Sequence, residues 1–258
     1  MKTEHPAWAP PLLALQFLTR IPVPAISRLA PEQVRSGLAR SVIWFPLVGT
    51  LIGGVTAAVL LLAEQFWPRP IAVLLALLVE ARLTGAFHED AVADFCDAVG
   101  GGRDQAHVRA IMKDSRIGSY GALGLLLALS LRAALIFYLP AAITLVAILA
   151  SATAGRLLAV VVMRSVRPAP GEGGLARDIT ADVGIGDTFF ALAIAAPALV
   201  AMGYVSPWAL LFAAVASLVF VVWYRTLLLR RVGGSTGDCL GFAACVGQLI
   251  FLLAAVTA

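Results

Sequence analysis

Charge is scarce in this chain. Only 13% of its 258 residues are Asp, Glu, Lys or Arg, against about 25% in soluble domains. That is too few to cover a water-facing surface, so a soluble globular protein is excluded. Cysteine is scarce too. Cys96, Cys239 and Cys245 form no CxxC pair and are odd in number, which leaves no case for a disulfide framework or a structural zinc. Histidine is equally scarce: His88-Glu89 opens like an HExxH zinc motif, but the second histidine position is Val92, so a zinc protease is excluded. No internal repeat or low-complexity tract is visible. The N-terminal stretch does not read as a cleavable signal. Pro6, Pro10, Pro11, Pro22 and Pro24 are expected to break any continuous apolar helix there, and no small-residue cleavage pattern follows.

What the chain has in excess is apolar surface: 60% hydrophobic residues and a mean hydropathy of +0.93. A bilayer core of about 30 Å takes roughly 20 apolar residues of helix. Segments of that kind occur at 42–63, 71–88, 119–138, 141–163, 188–204, 207–224 and 239–257. The expected fold is all-α, a polytopic membrane bundle of about seven transmembrane helices. Pro140 marks a tight turn between the third and fourth.

Basic residues orient the bundle. With a cytoplasmic N-terminus, the inside segments carry Lys2, Arg20, Arg28, Arg35 and Arg40, then Arg103, Arg109, Lys113 and Arg116. Arg164, Arg167 and Arg177 follow, then Arg225, Arg230 and Arg231. Only Arg69 falls in an outer loop, and Arg82, Arg132 and Arg156 fall within spans. The positive-inside rule thus favours N-terminus in and C-terminus out. It also accounts for the pI near 9.3 without a nucleic-acid partner.

The strongest chemical signal is His88-Glu89-Asp90-Ala91-Val92-Ala93-Asp94-Phe95-Cys96-Asp97. At 100° per residue, Asp94 lies about 40° from Asp90 and Asp97 about 20° on its other side. The three carboxylates share a face, and like charges at this spacing repel. A divalent cation quenches that repulsion, and oxygen ligands suit magnesium. The pattern points to a magnesium site for a pyrophosphate-containing substrate, or else to a solvated acidic helix end.

Three further polar pieces fall on the same side. Gly100-Gly101-Gly102 is expected to break the helix, and Lys113, Asp114 and Arg116 follow; the two cations suit phosphate. The loop 164–187, with Arg167 and Gly171-Glu172-Gly173-Gly174-Leu175, is too long and polar for a mere turn and reads as a substrate cover or a linker. Gly233-Gly234-Ser235-Thr236-Gly237-Asp238 leads into the last span and reads as a phosphate or metal-phosphate cradle at a helix N-terminus. Within the spans, Glu80, Arg82, Arg132 and Arg156 need partners. Arg156 is expected to face a polar cavity continuous with the acidic site, and Glu80 to form an internal ion pair with an arginine. Gly49-x-x-x-Gly53 reads as helix packing.

In this order the motifs resemble the cobalamin synthase family, the adenosylcobinamide-GDP ribazoletransferases. The matching stretches are Phe17-Leu18-Thr19-Arg20-Ile21-Pro22-Val23-Pro24, Phe45-Pro46-Leu47-Val48-Gly49, the His88–Asp97 helix, Met112-Lys113-Asp114-Ser115-Arg116-Ile117-Gly118, and Thr236-Gly237-Asp238-Cys239-Leu240-Gly241. The resemblance implies one membrane-embedded transferase domain, 1–258, with loops 88–118, 164–187 and 225–238 forming the site. The enzyme would sit in the bacterial inner membrane with its site facing the cytoplasm, and a homo-oligomer is compatible with it. It would transfer the phosphocorrinoid moiety of adenosylcobinamide-GDP to α-ribazole or its 5′-phosphate, release GMP, and require Mg2+. Asp90, Asp94 and Asp97 would be catalytic and, with Asp238, metal ligands. Asp94 or Asp97 would take the hydroxyl proton. Lys113, Asp114, Arg116, Arg167, Thr236 and Gly237 would bind substrate. The chain departs from the family at Ala91-Val92, where Gly-Leu is common, and at Cys245 and Gln248, where glutamates are common.

Two rival readings differ in class. A CDP-alcohol phosphotransferase also uses aspartates at helical spacing, but its Asp-Gly-x-x-Ala-Arg start is missing. A secondary transporter would place its polar site near the bilayer midplane between repeats, whereas here the polar residues collect in loops.

Overall fold

A computed structural model describes residues 5–170, 179 and 183–257. Every regular element among them is helical: α1 (Ala9–Leu18), α2 (Pro31–Ser41), α3 (Phe45–Ala63), α4 (Arg69–Thr84), α5 (Phe87–Gly101), α6 (Gln105–Met112), α7 (Ser119–Tyr138), α8 (Thr144–Ser165), α9 (Ile185–Val205), α10 (Pro207–Arg231) and α11 (Gly237–Val256). Six are long and apolar enough to cross a membrane, counting Pro31–Ala63 as one; α4 and α5 reach that length and apolarity only together, across a sharp bend.

The bundle has a centre and a rim. Two thirds of α8 is buried and 61% of α11, against 17% of α9 and of α10. The central helices approach closely because small residues line their contacts. A methyl group on Gly53 would meet Ala152 of α8, and one on Gly247 would meet Gly155. Without a hydrophobic drive between helices in lipid, such backbone proximity supplies the packing energy. The rim helices turn large apolar side chains outward, among them Leu126, Phe190, Phe212 and Leu218, as a lipid-facing surface requires.

Two apolar clusters fill the two ends of the bundle. One joins α1, α2, the start of α3, α5, α6 and the start of α11. The other joins the end of α3, α4, the hairpin between α7 and α8, and the end of α11. At that second end Arg69 closes the hairpin: its guanidinium donates to the Ile136 and Leu139 carbonyls and to Thr144. The tight turn expected at Pro140 is therefore real and is tied down by the first residue of α4.

Three expectations need correction. The segment 71–88 is not one straight helix: Gly85 and Ala86 both adopt positive φ (71° and 57°), and α5 leaves α4 at 88°. The acidic helix thus runs across α4 instead of extending it. The N-terminal prolines do not prevent a helix, because Pro10 and Pro11 occupy the first turn of α1, where no N–H is needed. The glycine triplet does not break α5 until Gly102, its C-cap.

Candidate active site

Five connections gather the polar pieces at the first end of the bundle. The Asp97 carboxylate accepts from the backbone N–H of Gly118 at 2.6 Å and of Gly121 at 2.8 Å. Gly118 is the N-cap of α7 and offers no side-chain cap, so Asp97 supplies the cap from a different helix. Arg231, at the end of α10, donates to the Val99 and Gly102 carbonyls that close α5. Gln105 of α6 donates to the Leu229 and Arg230 carbonyls. Thr236, the N-cap of α11, contacts Met112 of α6. The chain after α8 is stitched to the α11 turn: Ser235 N–H donates to the Arg167 carbonyl at 2.9 Å and Ala169 N–H to the Ser235 carbonyl at 3.0 Å.

That stitching depends on glycine at one position. Gly234 has φ of 158° and lies against the Pro168–Ala169 backbone, leaving no room for a side chain. Arg167, Thr236 and Gly237 are thereby held together. Residues 171–178 of that loop, including Gly171, Glu172, Gly173, Gly174, Leu175 and Arg177, lie outside the described residues.

On α5, Asp90 is exposed, while Asp94 and Asp97 are half-buried. Burial, then the charges of Asp90 and Asp97, push the Asp94 carboxyl up to about 6. The repulsion inferred from spacing is thus present in three dimensions. Among the described residues, however, no three His, Cys, Asp or Glu side chains converge closely enough to hold an ion alone. Asp238, in the first turn of α11, does not complete a protein cage with the other three. This arrangement suits magnesium nonetheless, since that ion keeps waters and is bound through one or two carboxylates plus substrate phosphates.

Lys113 caps the end of α6 and is exposed. Asp114 and Arg116 grip each other: Arg116 Nη2 lies 2.6 Å from Asp114 Oδ2 and Nε 3.0 Å from Oδ1. These hydrogen bonds hold the Asp114 carboxyl down to about 2. Asp114 acts first as the anchor that orients Arg116, whose side chain is 87% exposed.

Beneath the site lies a buried polar cluster whose pairing sequence reasoning only partly foresaw. Glu80 pairs with Arg132, both carboxylate oxygens at 2.7 Å from Nη2, and Thr56 donates to Glu80 at 2.6 Å. Glu89 stands 3.9 Å from the same arginine. The expected internal ion pair of Glu80 exists. Arg82 takes no part and is exposed. The roles of Asp97 as a cap and of Arg231 as a clasp were not foreseen. Only the Gly118-x-x-Gly121 spacing hinted at the first, because side chains at either glycine would collide with the Asp97 carboxylate.

Comparison with known proteins adds an independent line. The family model described as Cobalamin-5-phosphate synthase matches residues 10–256. The adenosylcobinamide-GDP ribazoletransferase of Leptothrix cholodnii is 39% identical over 249 residues, covering 92% of this chain and 90% of that protein. Its namesake from Klebsiella pneumoniae is 38% identical, covering 93% and 96%, and that from Vibrio cholerae 35%, covering 94% and 91%. No solved structure matches. Matched over nearly its whole length and at this identity, the chain belongs to the cobalamin-5-phosphate synthase family.

Proposed function

We propose that this chain transfers the phosphocorrinoid moiety of adenosylcobinamide-GDP to α-ribazole or its 5′-phosphate, releasing GMP. The observation that carries the reading is the convergence at one end of a membrane bundle of an acidic helix, a basic loop and a glycine-rich helix start. An oxygen of the ribazole hydroxyl bonds to the corrinoid-side phosphorus, and the phosphoanhydride bond to GMP breaks. The hydroxyl proton passes to a carboxylate. We assign that role to Asp94, which lies one turn from Asp90 on α5. Asp97 is already committed to two backbone N–H groups.

Magnesium would be held by carboxylates drawn from Asp90, Asp94, Asp97 and Asp238 together with diphosphate oxygens, and when bound it neutralises charge on the attacking and leaving oxygens. Lys113, Arg116 and Arg167 take the phosphate of the departing GMP, with Asp114 holding the Arg116 fork in place. Thr236 and Gly237 offer the start of α11 to a phosphate oxygen. Transfer of this kind rests mainly on positioning and charge neutralisation. The whole chain forms one domain whose loops 88–118, 164–187 and 225–238 make the site. The basic loops support a site and an N-terminus on the cytoplasmic side of a bacterial inner membrane.

Purified Asp90→Ala protein in detergent tests the proposal. Transfer of the corrinoid to ribazole is abolished while membrane insertion and thermal melting are kept. Full turnover in that variant, or in wild type stripped by chelator, ends the mechanism.

A further inference from the structure

The outward face of α10 is apolar for most of its length and ends in positive charge. Phe212, Val215, Val219 and Trp223 are all exposed, and their three- and four-residue spacing puts them on one stripe of the helix. With Ala216, Phe220 and Ile250 of α11 they line an open groove of about 400 Å³. From Phe212 to Trp223 the groove runs roughly 16 Å, at about 1.5 Å per residue. That is about half of a ~30 Å hydrocarbon core, the depth of one leaflet. One end of its wall is fixed by ring contacts. Trp223 tilts against Phe220 at 5.9 Å and Phe220 stacks on Tyr224 at 4.9 Å. The buried Tyr224 hydroxyl donates to the Cys239 carbonyl in the first turn of α11.

Beyond Trp223 the stripe changes character. At about 100° per residue, Arg230 lies in line with Phe212 and about 20° from Trp223. It is exposed, and its guanidinium has no hydrogen bond or carboxylate among the described residues. Its backbone is held, because Gln105 of α6 donates to the Leu229 and Arg230 carbonyls. Arg225 is exposed at the same end and donates to the Ser165 carbonyl of α8. The opposite end of the helix, Ser206-Pro207-Trp208, carries no charge. Topology asks for cations on this side of the membrane, but it does not set one in line with an apolar groove.

We infer that this groove binds an anionic phospholipid from the leaflet on the side of the acidic helix. One acyl chain lies along α10, Trp223 sits at the ester level, and Arg230 reaches the headgroup phosphate with Arg225 adding to the positive field. A zwitterionic lipid has the same phosphate but brings its own cation, so the two arginines favour the anionic one. The site lies apart from the transferase chemistry and does not depend on that reading.

The test uses purified full-length protein in detergent, stripped of lipid, with phosphatidylglycerol and phosphatidylcholine of identical chains. Native mass spectrometry reads lipid retention, and thermal melting reads stabilisation. Wild type retains phosphatidylglycerol at least fivefold over phosphatidylcholine and melts higher with it. Arg230→Gln loses that preference while still taking up both lipids, and Arg230→Lys keeps most of it. Ala216→Trp, which fills the groove without altering charge, retains less of both. Inorganic phosphate gives no thermal shift. Equal retention of the two lipids by wild type, an undiminished preference in Arg230→Gln, undiminished retention in Ala216→Trp, or a shift from inorganic phosphate equal to the lipid's overturns the inference. A dimer mass that excludes lipid would put a second copy of the chain in the groove and overturns it too.

Discussion

Asp97 on α5 caps α7 through the Gly118 N–H, 2.6 Å away. One carboxylate of the acidic helix is therefore a structural clasp between the helix and the basic loop that precedes α7. Replacing Asp97 by Ala leaves two N–H groups uncapped and costs about 1–2 kcal/mol. Hydrogen exchange at residues 118–123 rises accordingly, and Asn, which keeps an acceptor oxygen, lies between. Unaltered exchange there would show that the clasp contributes nothing.

The Glu80–Arg132 pair is buried on both sides, 2% and 5% exposed. Glu80→Gln strands a buried charge and destabilises by about 3–5 kcal/mol. The double change Glu80→Met with Arg132→Met removes both charges and recovers most of that loss. Melting in detergent reads the cycle, and additivity of the two single changes would disprove the coupling.

The Asp94 carboxyl, raised to about 6 by burial and by Asp90 and Asp97, gives pH and magnesium a linked effect. A carboxyl with a raised pKa is protonated more readily in the folded state. Its unfavourable contribution is present above pH 6 and fades as pH falls toward the ordinary aspartate value. Magnesium with pyrophosphate displaces that proton. Calorimetry in buffers of different ionisation enthalpy should show proton release at pH 6, little at pH 8, and less at pH 6 in Asp94→Asn. Equal release by the variant would place the proton elsewhere.

The bend at Gly85 and Ala86 aims the acidic helix, and it tolerates the two residues unequally. Gly85→Ala forces a side chain into positive φ and against Arg20, costing about 1–2 kcal/mol. Ala86→Gly relieves the same strain and raises the melting temperature. Transfer falls in the first variant and survives in the second. Matching melting temperatures for both would mean the bend carries no strain.

Composition alone determined that this protein lives in a bilayer, because so little charge cannot coat a soluble surface of this length. Helical spacing alone aligned Asp90, Asp94 and Asp97, since those angles are local. The motif order pointed to the family. Partnership was another matter. That Glu80 takes Arg132, that Asp97 caps a helix it does not belong to, and that Arg167 meets Ser235 all join residues distant in the chain. Such choices depend on how close two helices come, which small residues such as Gly53 and Gly247 permit. The 88° turn of α5 is likewise a tertiary decision: glycine allows positive φ but does not demand it, and only the packing of α5 on α7 and α11 holds the chain there.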